Sequence, residues 1–190
     1  MMRQALDFLL DVLVQHFAVL LLLRFHLQWL HAPLRNPIGK FIMALTNFVV
    51  LRTRRYIPSF KSYDTSSLLL AYIFETLYLY LYSFISIYTP PEGNNMLLVL
   101  FAVSIVQLIS LTVIMLIIAL IIQSVMSWVN PHTPLEPILN VVTSPLLKPL
   151  QRRIPRAGDV DMSSYILIII LVLIYMIPIY YLDKLLRSFI

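Results

Sequence analysis

The chain has no cysteine, only three glycines in 190 residues, and charged side chains at 12% of its length. Without cysteine there is no disulfide framework, no thiol chemistry and no iron–sulfur ligation. Gly39, Gly93 and Gly158 are too few and too scattered for a phosphate-cradling loop, and neither a G-x-S-x-G elbow nor an H-E-x-x-H zinc helix is written anywhere. His16, His26, His31 and His132 show no ligand spacing. No catalytic residue, metal site or cofactor is therefore expected. The scarcity of charge excludes more. Ordinary soluble domains carry about 25% charged and roughly 45–50% apolar residues, whereas 60% of this chain is hydrophobic. The chain is that of a membrane protein.

What is present is a set of four apolar blocks. A bilayer core of about 30 Å takes roughly 20 helical residues, and blocks at about 7–30, 66–87, 96–128 and 164–182 meet that length. They are continuous rather than alternating in period two, so they predict helices and not barrel strands. The expected fold class is all-α, an integral membrane protein with four transmembrane helices. No cleavable signal is recognised, so the first block is expected to stay. The block from Met96 to Trp128 exceeds one perpendicular crossing and should tilt, protrude or bend near Gln107 and Ser110.

Between the blocks the chain repeats itself. Shifted by 97 positions, 37–67 aligns with 134–164 without a gap, and eight pairs are identical: Pro37/Pro134, Thr46/Thr143, Arg55/Arg152, Ile57/Ile154, Pro58/Pro155, Asp64/Asp161, Ser66/Ser163 and Ser67/Ser164. The organisation expected is two tandem units, 1–90 and 91–190, each a span, an interfacial helix and a second span. The interfacial helices, about 37–52 and 134–148, are read from apolar residues at helical spacing, Ile38, Phe41, Ile42, Leu45 and Val49 in one and Leu135, Ile138, Leu139, Val142 and Leu146 in the other, each led by a proline. Their length places them in the interface rather than across it.

Charge placement sets the expected orientation. Linker 31–65 holds six Lys/Arg and linker 129–163 four, against none in 88–95. Both basic linkers should face the cytoplasm, and the 88–95 turn and both termini the other side. The clusters Arg52, Arg54, Arg55, Lys61 and Lys148, Arg152, Arg153, Arg156 are the foremost candidates for a binding surface, for anionic lipid headgroups or an acidic membrane-protein partner or second copy. They are short and lack interleaved stacking platforms, so no nucleic acid is expected. Arg24 lies about 8 Å and Glu75 roughly 13 Å into the bilayer by helical rise. An isolated charge there costs at least ~2.5 kcal/mol, which suggests an intramembrane ion pair between them. Asp64, Ser66, Asp161 and Ser163 stand just before apolar helices and are read as caps. Asp7 and Asp11 suit a helix N-terminus.

These features together resemble the YggT family of small bacterial inner-membrane proteins, on the stretches "LLLRFHLQW" at 21–29, "NP" at 36–37, "RRYIP" at 54–58 and "TSPLLKPLQRRIPRAGDVDMSS" at 143–164. The resemblance implies two repeats of two spans each, and a role in envelope or cell-division organisation or in osmotic and potassium tolerance. The reading it supports is a non-enzymatic scaffold or assembly factor acting through its basic linkers. The alternative is an ion channel or transport component in potassium and osmotic homeostasis. The first unit departs from the family pattern, with Phe48, Arg52 and Lys61 where the second has Pro145, Pro149 and Gly158. It should therefore form the more regular helix.

Overall fold

Apolar runs that leave no water for the backbone must satisfy their own N–H and C=O groups, and they do so as helices. The structure, a computed structural model, describes residues 2–57, 64–85, 96–129, 133, 135–153 and 162–187. Among them all regular structure is helical: α1 (Met2–Leu10), α2 (His16–Trp29), α3 (Pro37–Thr53), α4 (Thr65–Ile85), α5 (Met96–Val129), α6 (Glu136–Gln151), α7 (Met162–Ile174) and α8 (Tyr180–Arg187). One π-turn, Asp11–Gln15, joins α1 to α2, and a second, Tyr175–Ile179, joins α7 to α8. Four helices are long and apolar enough to cross a membrane: Gln4–Trp29, Thr65–Ile85, Met96–Ser127 and Met162–Arg187. The second π-turn has an evident cause, because Pro178 lacks the N–H that an α-helical register requires.

The helix α5 runs unbroken through Gln107 and Ser110. At about 1.5 Å per residue its 34 residues greatly exceed the bilayer core. Its hydroxyls find partners without interrupting the helix: Ser104, Thr112 and Ser124 donate to Leu100, Leu108 and Leu120 O.

Among the described residues, each linker contributes one helix. Asn36 caps α3, its Oδ1 accepting the Gly39 N–H at 2.7 Å, with Pro37 in the first turn. In α6 the first-turn proline is Pro137, and Pro134 lies outside the described residues. Pro145 and Pro149 are accommodated inside α6 without ending it. The inner faces match at the 97-residue shift: Ile42, Thr46 and Val50 are buried in α3, as are Leu139, Thr143 and Leu147 in α6. Phe41 and Leu45 point outward. The chain turns out of α2 through His31, whose φ of 55° places it in the left-handed region, while Ala32 and His31 N–H reach back to Leu27 and Gln28 O.

The buried apolar residues gather into clusters between the helices. Leu21, Leu22, Val50, Leu70, Ala71 and Leu108 form one core cluster, and Val113, Leu120, Leu147, Leu167 and Leu171 another. A third cluster of Leu27, Ala32, Ile42 and Ile138 ties α2 and α3 to α6. Gly39 is a tight point: a Cβ there would strike the Leu34 backbone. Gly39→Ala is expected to cost about 1–3 kcal/mol, as overpacking does, seen as a lowered melting temperature in detergent. An unchanged melt would show that the Leu34 turn yields freely.

Candidate functional site

The inner face of α2 carries Ala18, Leu21, Leu22, Arg24 and Leu27, all buried. A guanidinium in such a row needs a counter-charge, and α4 supplies it from the residue just before its first turn. Arg24 Nε lies 3.1 Å from Asp64 Oδ2, with both side chains fully buried. Arg24 Nη1 donates to Thr46 Oγ1 at 2.7 Å and to Asn47 Oδ1 at 2.9 Å. Arg54, at the end of α3, approaches from the outer side: its Nη2 is 2.9 Å from Asp64 Oδ2 and its Nε donates to Oδ1 at 3.3 Å. Ser67 Oγ donates to Oδ2 at 2.6 Å. A second Arg54 bond, Nη2 to Gln28 Oε1 at 3.3 Å, returns to α2. One carboxylate thus joins α2, α3 and α4, and two arginines against one aspartate leave the node one positive charge in excess.

Burial alone would raise the Asp64 carboxyl. The Ser67 hydrogen bond, the Arg54 hydrogen bond, and the charges of Arg54 and Arg24 outweigh it and hold the group below its usual range. Asp64 does stand at the start of α4, its backbone carbonyl accepting the Ser67 and Leu68 N–H groups. Its carboxylate, however, is used on the arginines and the Ser67 hydroxyl. Ser66, also read as a cap, donates its hydroxyl to Ile57 O at 2.7 Å and so closes the linker onto the span.

The expected Arg24–Glu75 pair is corrected by this geometry. Arg24 is five residues from the end of its span, and antiparallel packing sets it beside the mouth of α4. Glu75 lies eight residues, roughly 12 Å, beyond Ser67. Standing just before an apolar helix, Asp64 reads locally as a cap, and only its packing beside α2 makes it the counter-ion of Arg24. Arg54 was likewise read as part of an exposed cluster, yet it is the partly buried second cation of the node. Glu75 itself is fully buried in α4 with no hydrogen-bond partner on either oxygen.

At the matching place in the second half the same framework is neutral. Thr143 Oγ1 donates to Gln123 Oε1 at 2.7 Å and also back to Leu139 O, just as Thr46 donates to Ile42 O. Gln123 Nε2 donates to Asn140 Oδ1 at 2.7 Å. Ser163 and Ser164 are buried as Ser66 and Ser67 are. Asp161, Lys61 and Arg156 lie outside the described residues.

Of the basic candidates, Arg52, Arg55, Lys148, Arg152 and Arg153 are exposed. Beside the first group, α3 presents Phe41, Leu45, Phe48 and Leu51 outward, and Tyr56 follows at 86% exposure. Where α2, α3, α5 and α6 meet, an apolar cavity of about 240 Å³ is lined by Leu23, His26, Ile42, Met115, Leu139 and Val142 among others. No group of three or more His, Cys, Asp or Glu that could hold a metal ion occurs among the described residues.

With this geometry established, the comparisons become informative. The pattern of the CCB3/YggT family matches residues 3–85 and 102–182. An uncharacterized Escherichia coli K12 protein, YggT, is 31% identical over 172 residues, covering 90% of this chain and 87% of its own. An uncharacterized Pseudomonas aeruginosa protein is 31% identical over 180 residues, covering 94% and 90%. One from Haemophilus influenzae is 32% identical over 155 residues, covering 81% and 80%. No solved structure matches.

Proposed function

Because the chain belongs to the CCB3/YggT family, we propose that it is a non-enzymatic scaffold or assembly factor of the bacterial inner membrane, formed from two tandem repeats, whose basic linkers dock anionic headgroups and an acidic membrane partner. Both linkers face the cytoplasm, where the positive-inside tendency puts their ten Lys/Arg, and both termini are periplasmic. The process served is envelope or cell-division organisation, or osmotic stress tolerance.

The observation that carries this reading is the outer face of α3. Exposed Phe41, Leu45, Phe48 and Leu51 run beside exposed Arg52 and Arg55. An apolar stripe ending in cations suits a helix lying at the lipid interface, with about 1 kcal/mol of attraction to anionic lipid per basic residue. Since Arg54 is engaged by Asp64, the described members of the first basic cluster left for docking are Arg52 and Arg55.

Reversing Arg52, Arg55, Arg152 and Arg153 to Glu is expected to reduce anionic lipid and protein partners co-purified from native membranes several-fold, with the melting temperature little changed. Undiminished capture would refute the docking role. The competing reading, an ion channel or transport component in potassium homeostasis, is favoured by buried Glu75. Reproducible potassium flux in liposomes that Glu75→Ala abolishes would establish it over the scaffold.

A further inference from the structure

Glu75 sits near the middle of α4, fully buried, and both carboxyl oxygens lack hydrogen-bond partners. Among the described residues the ion pairs are Arg24–Asp64, Arg54–Asp64 and Arg187–Asp183, so no cation is directly paired with it. An unpaired carboxylate in such surroundings bears the full cost of desolvation, and such groups neutralise instead. The neutral acid is the form this site accepts.

The neighbourhood is apolar on one side and polar on the other. Toward the linkers, Leu21, Leu22, Leu70 and Ala71 pack in one apolar cluster, and the Arg24–Asp64 pair lies at the linker end of α2 and α4. Toward the termini, three residues along the same face of α4, Tyr78 donates its hydroxyl to Asp11 Oδ1 at 2.8 Å. Asp11 opens the first π-turn, a helical irregularity that often marks functional positions. One turn further out, Asp7 keeps a buried Oδ1 without a partner.

The remaining charged or titratable groups at this level are few. Tyr82 stacks on Tyr78 at 5.8 Å between ring centroids. Arg187 of α8 exerts its charge on Glu75 while bound to Asp183 at 2.7 Å. Helix α5 carries no charged residue, and offers Ser104 to Thr76. On α2, His16 is exposed, and Arg24 and His26 belong to its linker end.

We propose that Glu75 is a proton-binding site inside the membrane, loaded and emptied from the face that carries the termini, along the line of Tyr78, Asp11 and Asp7. Loading converts the carboxylate and one hydronium into the carboxylic acid and water; release reverses this, and no other bond changes. The site stands on the burial geometry and is independent of the docking role of the linkers.

The test is infrared difference spectroscopy on the full chain in lipid nanodiscs across a pH titration. A protonated-carboxyl band is expected at neutral pH and absent in Glu75→Gln, whose amide has the shape of the neutral acid and should melt as the parent does. Tyr78→Phe should keep the band but slow its loss after an alkaline pH jump several-fold. Absence of the band at neutral pH, its persistence in Glu75→Gln, or failure of Glu75→Gln to fold would overturn the proton-binding site. Unchanged release kinetics in Tyr78→Phe would overturn the route.

Discussion

Asp64→Ala should be the most damaging single substitution in the chain, costing about 3–5 kcal/mol, the range for breaking a buried ion pair by removing one partner. The loss arises because Arg24 would remain fully buried facing Arg54, with Thr46 and Asn47 as its only described hydrogen-bond partners. The second half shows what the same position tolerates without a charge: Gln123 satisfies Thr143 and Asn140. The double variant Arg24→Gln with Asp64→Asn should therefore recover much of what Asp64→Ala loses. Denaturant-titrated unfolding in mixed micelles reads both. A double variant no more stable than Asp64→Ala would show that the charges do not act through one another.

Acid should unfold the protein through the same residue. The Asp64 carboxyl is held below its usual range in the fold, and the unfolded chain takes up the proton first, near the ordinary carboxylate value of about 4. The stability contributed by this group is thus fully present above that value and is lost as pH falls through the lowered folded one. Once Asp64 is protonated, Arg24 and Arg54 face each other without a counter-ion, a loss on the scale of the substitution. Wild type should lose melting temperature steeply in that acid window, and Arg24→Gln with Asp64→Asn should lose much less. Parallel acid profiles would place the sensitivity elsewhere.

Much of the architecture was legible because it depends on composition and length. The four spans needed only apolar runs of sufficient extent, and the interfacial helices were marked by apolar periodicity and by Pro37 behind Asn36. Details that depend on three-dimensional neighbours were not legible. The 97-residue correspondence aligned Thr46 with Thr143 but gave no hint that these hydroxyls meet Arg24 in one half and Gln123 in the other. A single aspartate before a helix reads as a cap on local grounds, and only antiparallel packing of α2 on α4 turns Asp64 into a counter-ion. The prolines of α6 show the converse. A proline inside a helix removes a backbone hydrogen bond, yet α6 continues through Pro145 and Pro149 with Leu139, Thr143 and Leu147 buried on its inner face.

The wider account rests on both basic linkers lying on the cytoplasmic side of one membrane. The absence of cysteine makes this directly measurable, because a single introduced thiol is the only one present. Arg55→Cys and Arg153→Cys, at two exposed positions, can each be challenged with a membrane-impermeant maleimide in intact cells and in inverted vesicles. The account predicts that both are protected in cells and labelled in inverted vesicles. Labelling of one in cells and of the other only in inverted vesicles would contradict it.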